Sequence, residues 1–171
     1  VALINPFREE RGLGRVVVVG GYAVELYTGG GYRTGDVDIV VEGSADVVER
    51  ALDALGRRAG RVWDLSEIGL MAKAVDIVST SYSREKDPVR VSVGTAHVYI
   101  EPPEESAISC LNACVYWDSD LDCEKAAMVL AAQWDKIDWE YLYRRAREES
   151  VVEMLERLVE AVERARRELG A

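Results

Sequence analysis

With 171 residues, of which 49 % are hydrophobic and 30 % charged, the chain has the balance of a folded globular protein with room for one sizeable core, and fibrous or disordered classes are excluded. The net charge of −10 is unevenly placed: residues 104–140 hold 9 acids against 2 lysines, a face that repels large nucleic acids because polyanion binding depends on Lys and Arg displacing counterions. No apolar run approaches the roughly 20 residues of a membrane span, and no apolar h-region follows the first charges, so no membrane or secretory segment is expected and a cytoplasmic setting is the default.

In chain order, residues 15–19 form a β-branched run that ends at Gly20 and Gly21. A short helix over 22–27 and a glycine loop at 29–31 follow, giving strand, tight turn, helix, loop. Residues 36–41 read as a second strand, almost continuously apolar after Asp36 and Asp38, as in a strand covered on both faces. Ser44 offers an N-cap for a helix through Ala59, with Val47, Val48, Ala51, Leu52 and Leu55 as its apolar stripe. Residues 68–79 hold one or two more strands, clearest at 74–78, and residues 89–93 and 97–101 form a hairpin turned at Gly94 and Thr95.

From Pro102 the period becomes helical, over 104–116, 120–134, 138–147 and 150–169. Ser150 and Glu153 match a capping box. Val151, Leu155, Leu158, Val162, Ala165 and Leu169 make one apolar seam, which serves either packing onto its own domain or a homodimer. The expected fold is α/β (α+β): a mixed-sheet domain over residues 1–101, and a helical C-terminal part over 102–171 packed on it.

The chemistry concentrates in three places: Val19-Gly20-Gly21, then Arg33-Thr34-Gly35-Asp36-Val37-Asp38, then Asp76 between Val75 and Ile77. Two glycines at a strand end let a backbone approach a ligand, and a following helix N-terminus suits phosphate. Asp36 and Asp38, two apart on a strand, project from one face. Like charges there repel unless a cation lies between them, and magnesium (or manganese) meets that need with one or two carboxylates, waters and phosphate oxygens.

This constellation resembles the nucleotidyltransferase superfamily related to DNA polymerase β. The gap of 14 residues between Gly21 and Asp36 and Arg33-Thr34 before the acids are most similar to its AbiEii-type and MenT-type toxin-like and uncharacterised prokaryotic branch. The likeness covers residues 15–80. It implies a catalytic set of Asp36, Asp38 and Asp76, all three as metal ligands with Asp76 also the base, and nucleotide binding by Gly20, Gly21, Arg33 and Thr34. The implied reaction moves a nucleoside monophosphate from an NTP to a hydroxyl of a small molecule, protein or RNA, releasing pyrophosphate. One departure stands out: the toxin-like branch carries a triphosphate lysine on the helix after a Pro-Glu segment, whereas Pro103-Glu104 here leads into residues 107–114 without a basic side chain. Lys73, three residues before Asp76, is expected to face away. The alternative is a catalytically inactive binding protein of that fold, a toxin–antitoxin component or regulatory subunit.

Other features read as structural. Cys110, Cys114 and Cys123 lack a CxxC pair or a His cluster and are expected to be small buried thiols. His97, the only histidine, is expected in a hydrogen-bonded or exposed structural role, and Trp117, Trp134 and Trp139, with Tyr116, Tyr141 and Tyr143, in core and interhelical packing. Asp118, Asp120, Asp122 and Glu124 alternate like an EF-hand loop but lack its glycine and terminal glutamate, so they read as helix N-terminal acids. Seventeen arginines against 4 lysines hint at a heat-adapted source.

Overall fold

The computed structural model describes residues 2–65 and 73–170. The chain opens with α1 (Ile4–Glu9) and β1 (Val16–Val19), which runs directly into α2 (Gly20–Tyr27). Then come β2 (Asp36–Val41), α3 (Asp46–Asp53), the hairpin β3 (Arg57–Ala59) and β4 (Val62–Asp64), β5 (Ala74–Ser79), and the hairpin β6 (Val89–Val93) and β7 (Ala96–Ile100). Four helices follow: α4 (Pro103–Tyr116), α5 (Asp120–Gln133), α6 (Trp139–Glu148) and α7 (Val152–Leu169). The class is α/β, a mixed sheet followed by helices. Among the described residues no helix is long and apolar enough to cross a membrane. The chain forms two compact units, one of Val1–Ala23 and Arg33–Pro102, the other of Val24–Tyr32 and Pro103–Ala171.

The first unit is a seven-stranded sheet in the order β3-β4-β5-β2-β1-β7-β6. Strand β1 pairs antiparallel with β2 and parallel with β7, and β2 pairs parallel with β5. Val16, Val17, Val18, Ile39 and Val41 are fully buried, which is why these central strands read as continuous apolar runs. Asn5 of α1 braces the start of β1 reciprocally: its amide donates to the Val16 carbonyl at 3.0 Å, and its side-chain oxygen accepts from the Val16 N–H at 2.7 Å.

Helix α3 stops at Asp53, well short of the expected Ala59. The indole of Trp63, wholly buried, donates to Asp53 at 2.7 Å, and Gly56 passes so close to β4 that a Cβ there would stand 2.3 Å from the Asp64 carbonyl. Residues 57–64 therefore form a hairpin turned at Gly60 (φ +66°). Ser44 accepts from the Asp46 N–H at 3.3 Å, but Ala45 is the N-cap; Val48 and Leu52 are buried while Leu55 is exposed. Of the strand content expected over 68–79, residues 68–72 lie outside the described residues and the rest is β5.

The second unit is a helical cluster in which Ile108, Leu111, Leu130, Leu142 and Leu155 are fully buried. Ser119 and Asp138 cap α5 and α6 with their side chains. The expected capping box does not form: Ser150 takes a left-handed φ of +58° in the turn after α6, and Val151 becomes the uncapped start of α7. Within the seam, Val151, Leu155 and Val162 are buried and Leu158 is packed against the same cluster, while Leu169 is 84 % exposed.

Two cysteines expected as thiols are joined: Cys114 and Cys123 form a disulfide linking α4 to α5, and Cys110 remains a buried thiol. Trp134 and Trp139 pack edge to face at 4.6 Å, but Trp117 is 81 % exposed and Tyr116 largely so. Both lie at the solvent-facing end of α4, where the Tyr116 hydroxyl donates to the Glu149 carbonyl at 2.6 Å. His97 is buried, its Nδ1 3.0 Å from Arg90 and its Nε2 3.1 Å from Glu9.

Candidate functional site

Strand register assembles the acids. Val19 of β1 is the partner of Asp38 on β2, and Asp38 is the partner of Asp76 on β5. Directly paired residues share a face of a sheet, as do residues two apart on one strand. Asp36, Asp38 and Asp76 are therefore on one face, at the end of β1 where α2 begins.

Gly20 sits at that junction with φ +62°, and a Cβ there would lie 2.5 Å from Asp38 Oδ2. Both the backbone conformation and the neighbouring carboxylate demand glycine. The Gly21 N–H donates to Asp38, so this donor at the start of α2, expected to face a phosphate, is engaged by an acid of the site. Thr34 lies against Gly21, 3.3 Å from where a Cβ would be, and its hydroxyl donates to Asp36 Oδ1 at 2.7 Å. Arg33 is exposed on the approach to this loop.

Two cations lie close by. Lys73 does not face away as strand alternation suggests, because it precedes β5 and is not bound by that strand's pleat. Its ammonium donates to the Thr34 carbonyl and stands 5.1 Å from the Tyr22 ring centre. Arg61, which the sequence did not single out, belongs to the turn between β3 and β4. Its Nε is 3.0 Å from Asp76 Oδ1 without the alignment of a hydrogen bond, so that buried oxygen has an ionic partner but, among the described residues, no hydrogen-bond donor. The pairing of Val62 with Asp76 brings the turn here, and nothing local in the sequence announces it.

The acids are close enough to disturb one another. The Asp38 carboxyl is pushed above its ordinary range by burial first, then by the charges of Asp36 and Asp76; Arg61 and the Gly21 N–H oppose the shift. Among the described residues, no group of three His, Cys, Asp or Glu side chains is arranged to hold a metal ion, so Asp36, Asp38 and Asp76 share a face without converging on one point. The donor set still suits magnesium, a hard cation that takes one or two carboxylates and completes its shell with water and phosphate oxygens. The Asp76 oxygen without a donor and the mutual repulsion at Asp38 both favour an added cation.

A pocket of about 200 Å³ lies on the same face, floored by Val19, Val40 and Val78 and walled in part by Tyr82, Arg84 and Glu101. Val40 follows Asp38 by two residues on β2 and Val19 is the partner of Asp38 on β1, so the pocket adjoins the acids along these strands; past Ile39 the register with β5 shifts, and Val40 pairs with Ser79. Glu101 is buried and accepts from Arg84 Nε at 3.0 Å. No known protein-family model matches the chain, and no curated protein matches it in sequence.

Proposed function

We propose that the chain is a magnesium-dependent nucleotidyltransferase, moving a nucleoside monophosphate from an NTP to a hydroxyl acceptor. The observation that carries this reading is the row across three neighbouring strands, in which Asp38 and Asp76 stand side by side, Asp36 shares their face and Gly20 closes onto Asp38.

In this reading Asp36 and Asp38 hold magnesium or manganese with Asp76 beside them, and the bound ion offsets the negative charge of the triphosphate. Gly20 and Gly21 leave room for phosphates to approach the backbone. Thr34 positions Asp36, and Arg33 and Lys73 supply positive charge along the loop. Asp76 takes the proton of the acceptor hydroxyl. The acceptor oxygen bonds to the α-phosphorus, the bond from that phosphorus to the bridging oxygen breaks, and pyrophosphate leaves. The adjoining pocket offers the acceptor, whether a small molecule or a group of a protein or RNA, a place next to the acids.

A second reading, a binding protein of the same fold that acts with a toxin or antitoxin partner, is favoured by a specific observation: each acid already has a protein partner, Thr34 for Asp36, Gly21 for Asp38 and Arg61 for Asp76. Calorimetric titration of the four NTPs, with and without magnesium, separates the two. Magnesium-dependent binding that Asp36→Asn/Asp38→Asn loses supports the transferase. No binding at millimolar nucleotide, together with copurification of a partner protein, supports the second reading.

A further inference from the structure

Arg61 presents an unusual combination. Its side chain is 69 % exposed, while the carboxylate it pairs with is only 12 % exposed. Its backbone is fixed, because the Arg61 carbonyl accepts from the Ile77 N–H at 3.3 Å, so the turn is tied to β5 next to Asp76 while the side chain extends over the acids. The neighbouring Arg58 is spent elsewhere: both of its terminal nitrogens reach Glu49, at 3.0 and 3.3 Å.

The contact that Arg61 makes is easy to give up. An ion pair whose cation is open to solvent and lies outside hydrogen-bond alignment is held weakly from the cation's side. Asp76, however, cannot be left without positive charge, because an uncompensated buried carboxylate is costly. Release of the guanidinium is therefore tied to the arrival of another cation. Once released, a planar fork of five donors is well matched to phosphate oxygens.

We propose that Arg61 is a displaceable counter-cation of the acidic row, which neutralises Asp76 in the free protein, yields to an incoming divalent ion, and then binds the phosphate oxygens of the ligand that accompanies it. This rests on the reading of the row as a metal and triphosphate site. It makes opposite predictions for the two ligands: Arg61 competes with the metal and cooperates with the phosphate.

The test uses Mn²⁺ alone, followed by Mn²⁺ with inorganic tripolyphosphate, titrated calorimetrically into wild type, Arg61→Gln and Arg61→Lys. For Arg61→Gln, Mn²⁺ alone should bind about two- to fivefold more tightly, the worth of a weakly held ion pair, and tripolyphosphate about tenfold more weakly, the worth of a charged hydrogen bond. Arg61→Lys should bind Mn²⁺ like wild type and tripolyphosphate with intermediate affinity, because it keeps the charge and loses the fork. Weaker Mn²⁺ binding by Arg61→Gln, or no change in either affinity, overturns the proposal. If wild type binds both probes and Arg61→Gln matches it, only the role of Arg61 falls. If wild type binds neither, the metal and triphosphate reading falls with it.

Discussion

In the helical unit Glu105 of α4 is completely buried, with two donors from α6 on one of its oxygens: the Tyr141 hydroxyl donates to Oε1, and Arg145 Nε lies 3.4 Å from the same atom, while Oε2 has no hydrogen-bond partner among the described residues. Its neighbour Glu104 accepts the Asp138 N–H at 2.8 Å and so helps seat the first turn of α6. In the sheet unit Asp76 is buried almost as deeply but faces Asp38 and Asp36, with the exposed Arg61 as its cation among the described residues. Both units take carboxylates out of water, and they differ in what they supply in return. Carboxylates met by donors from another helix act as joints of the fold, whereas carboxylates met by other carboxylates mark a place where the fold tolerates repulsion that a ligand can relieve.

The sharpest way to break this comparison is to remove the donors from the helical unit. Arg145→Ala leaves Glu105 buried with Tyr141, and stability should fall by about 3 kcal/mol or more, read from urea unfolding. A loss under about 1 kcal/mol would mean that Glu105 is not a structural joint. The next effect lies at the junction of β1 and α2. Gly20→Ala meets both the positive φ and Asp38 Oδ2 and should cost about 1–3 kcal/mol. Combined with Asp38→Ala, which clears the obstruction, the loss should be less than the sum of the two single changes; strict additivity would show that the carboxylate and the glycine do not compete for space.

The smallest effect has the opposite sign. Because the folded Asp38 carboxyl titrates above its ordinary range, the folded state binds this proton more tightly than the unfolded chain does. Stability from this group is therefore greatest below the ordinary carboxylate range, and falls as pH rises through the raised pKa. Asp38→Asn removes the charge and keeps an oxygen for the Gly21 N–H, so at pH 7 without divalent ions it should melt slightly higher than wild type. The advantage should vanish as pH falls through the raised pKa. A lower melting temperature at pH 7 would show that Asp38 is held as Glu105 is.

Much of this arrangement is legible in the sequence because it rests on local pattern. The valine run of β1, the two acids opening β2, the turn at Gly94 and the periods of the four C-terminal helices identify their elements within a few residues. What is not legible depends on partners distant in the chain. Strand β3 is fully exposed and arginine-rich and lacks a strand pattern; the hairpin that contains it turns back on itself because Trp63 is buried and β4 pairs with β5. Glu104 and Glu105 count in the sequence among the acids of a charged face, whereas in the fold both are buried and meet donors of α6 and of the residue that caps it. The link between Cys114 and Cys123, nine residues apart, depends on how the turn after α4 brings α5 back. Within the site, the spacing of Asp36 and Asp38 conveys their shared face, but Asp76, Arg61 and Lys73 join them through strand pairing and a loop, which no spacing rule reaches.

The order of the sheet gives the two halves of the site different lifetimes. Asp36, Asp38 and Asp76 stand on β2 and β5, interior strands with a paired neighbour on each side, whereas Arg61 is carried by the hairpin that ends the sheet at β3. Amide hydrogens of interior strands exchange with solvent mainly when the whole sheet opens, and those of an edge hairpin exchange through small local openings. The anionic half therefore shares the lifetime of the fold, whereas the arginine is carried on the part of the sheet whose amide hydrogens should exchange first.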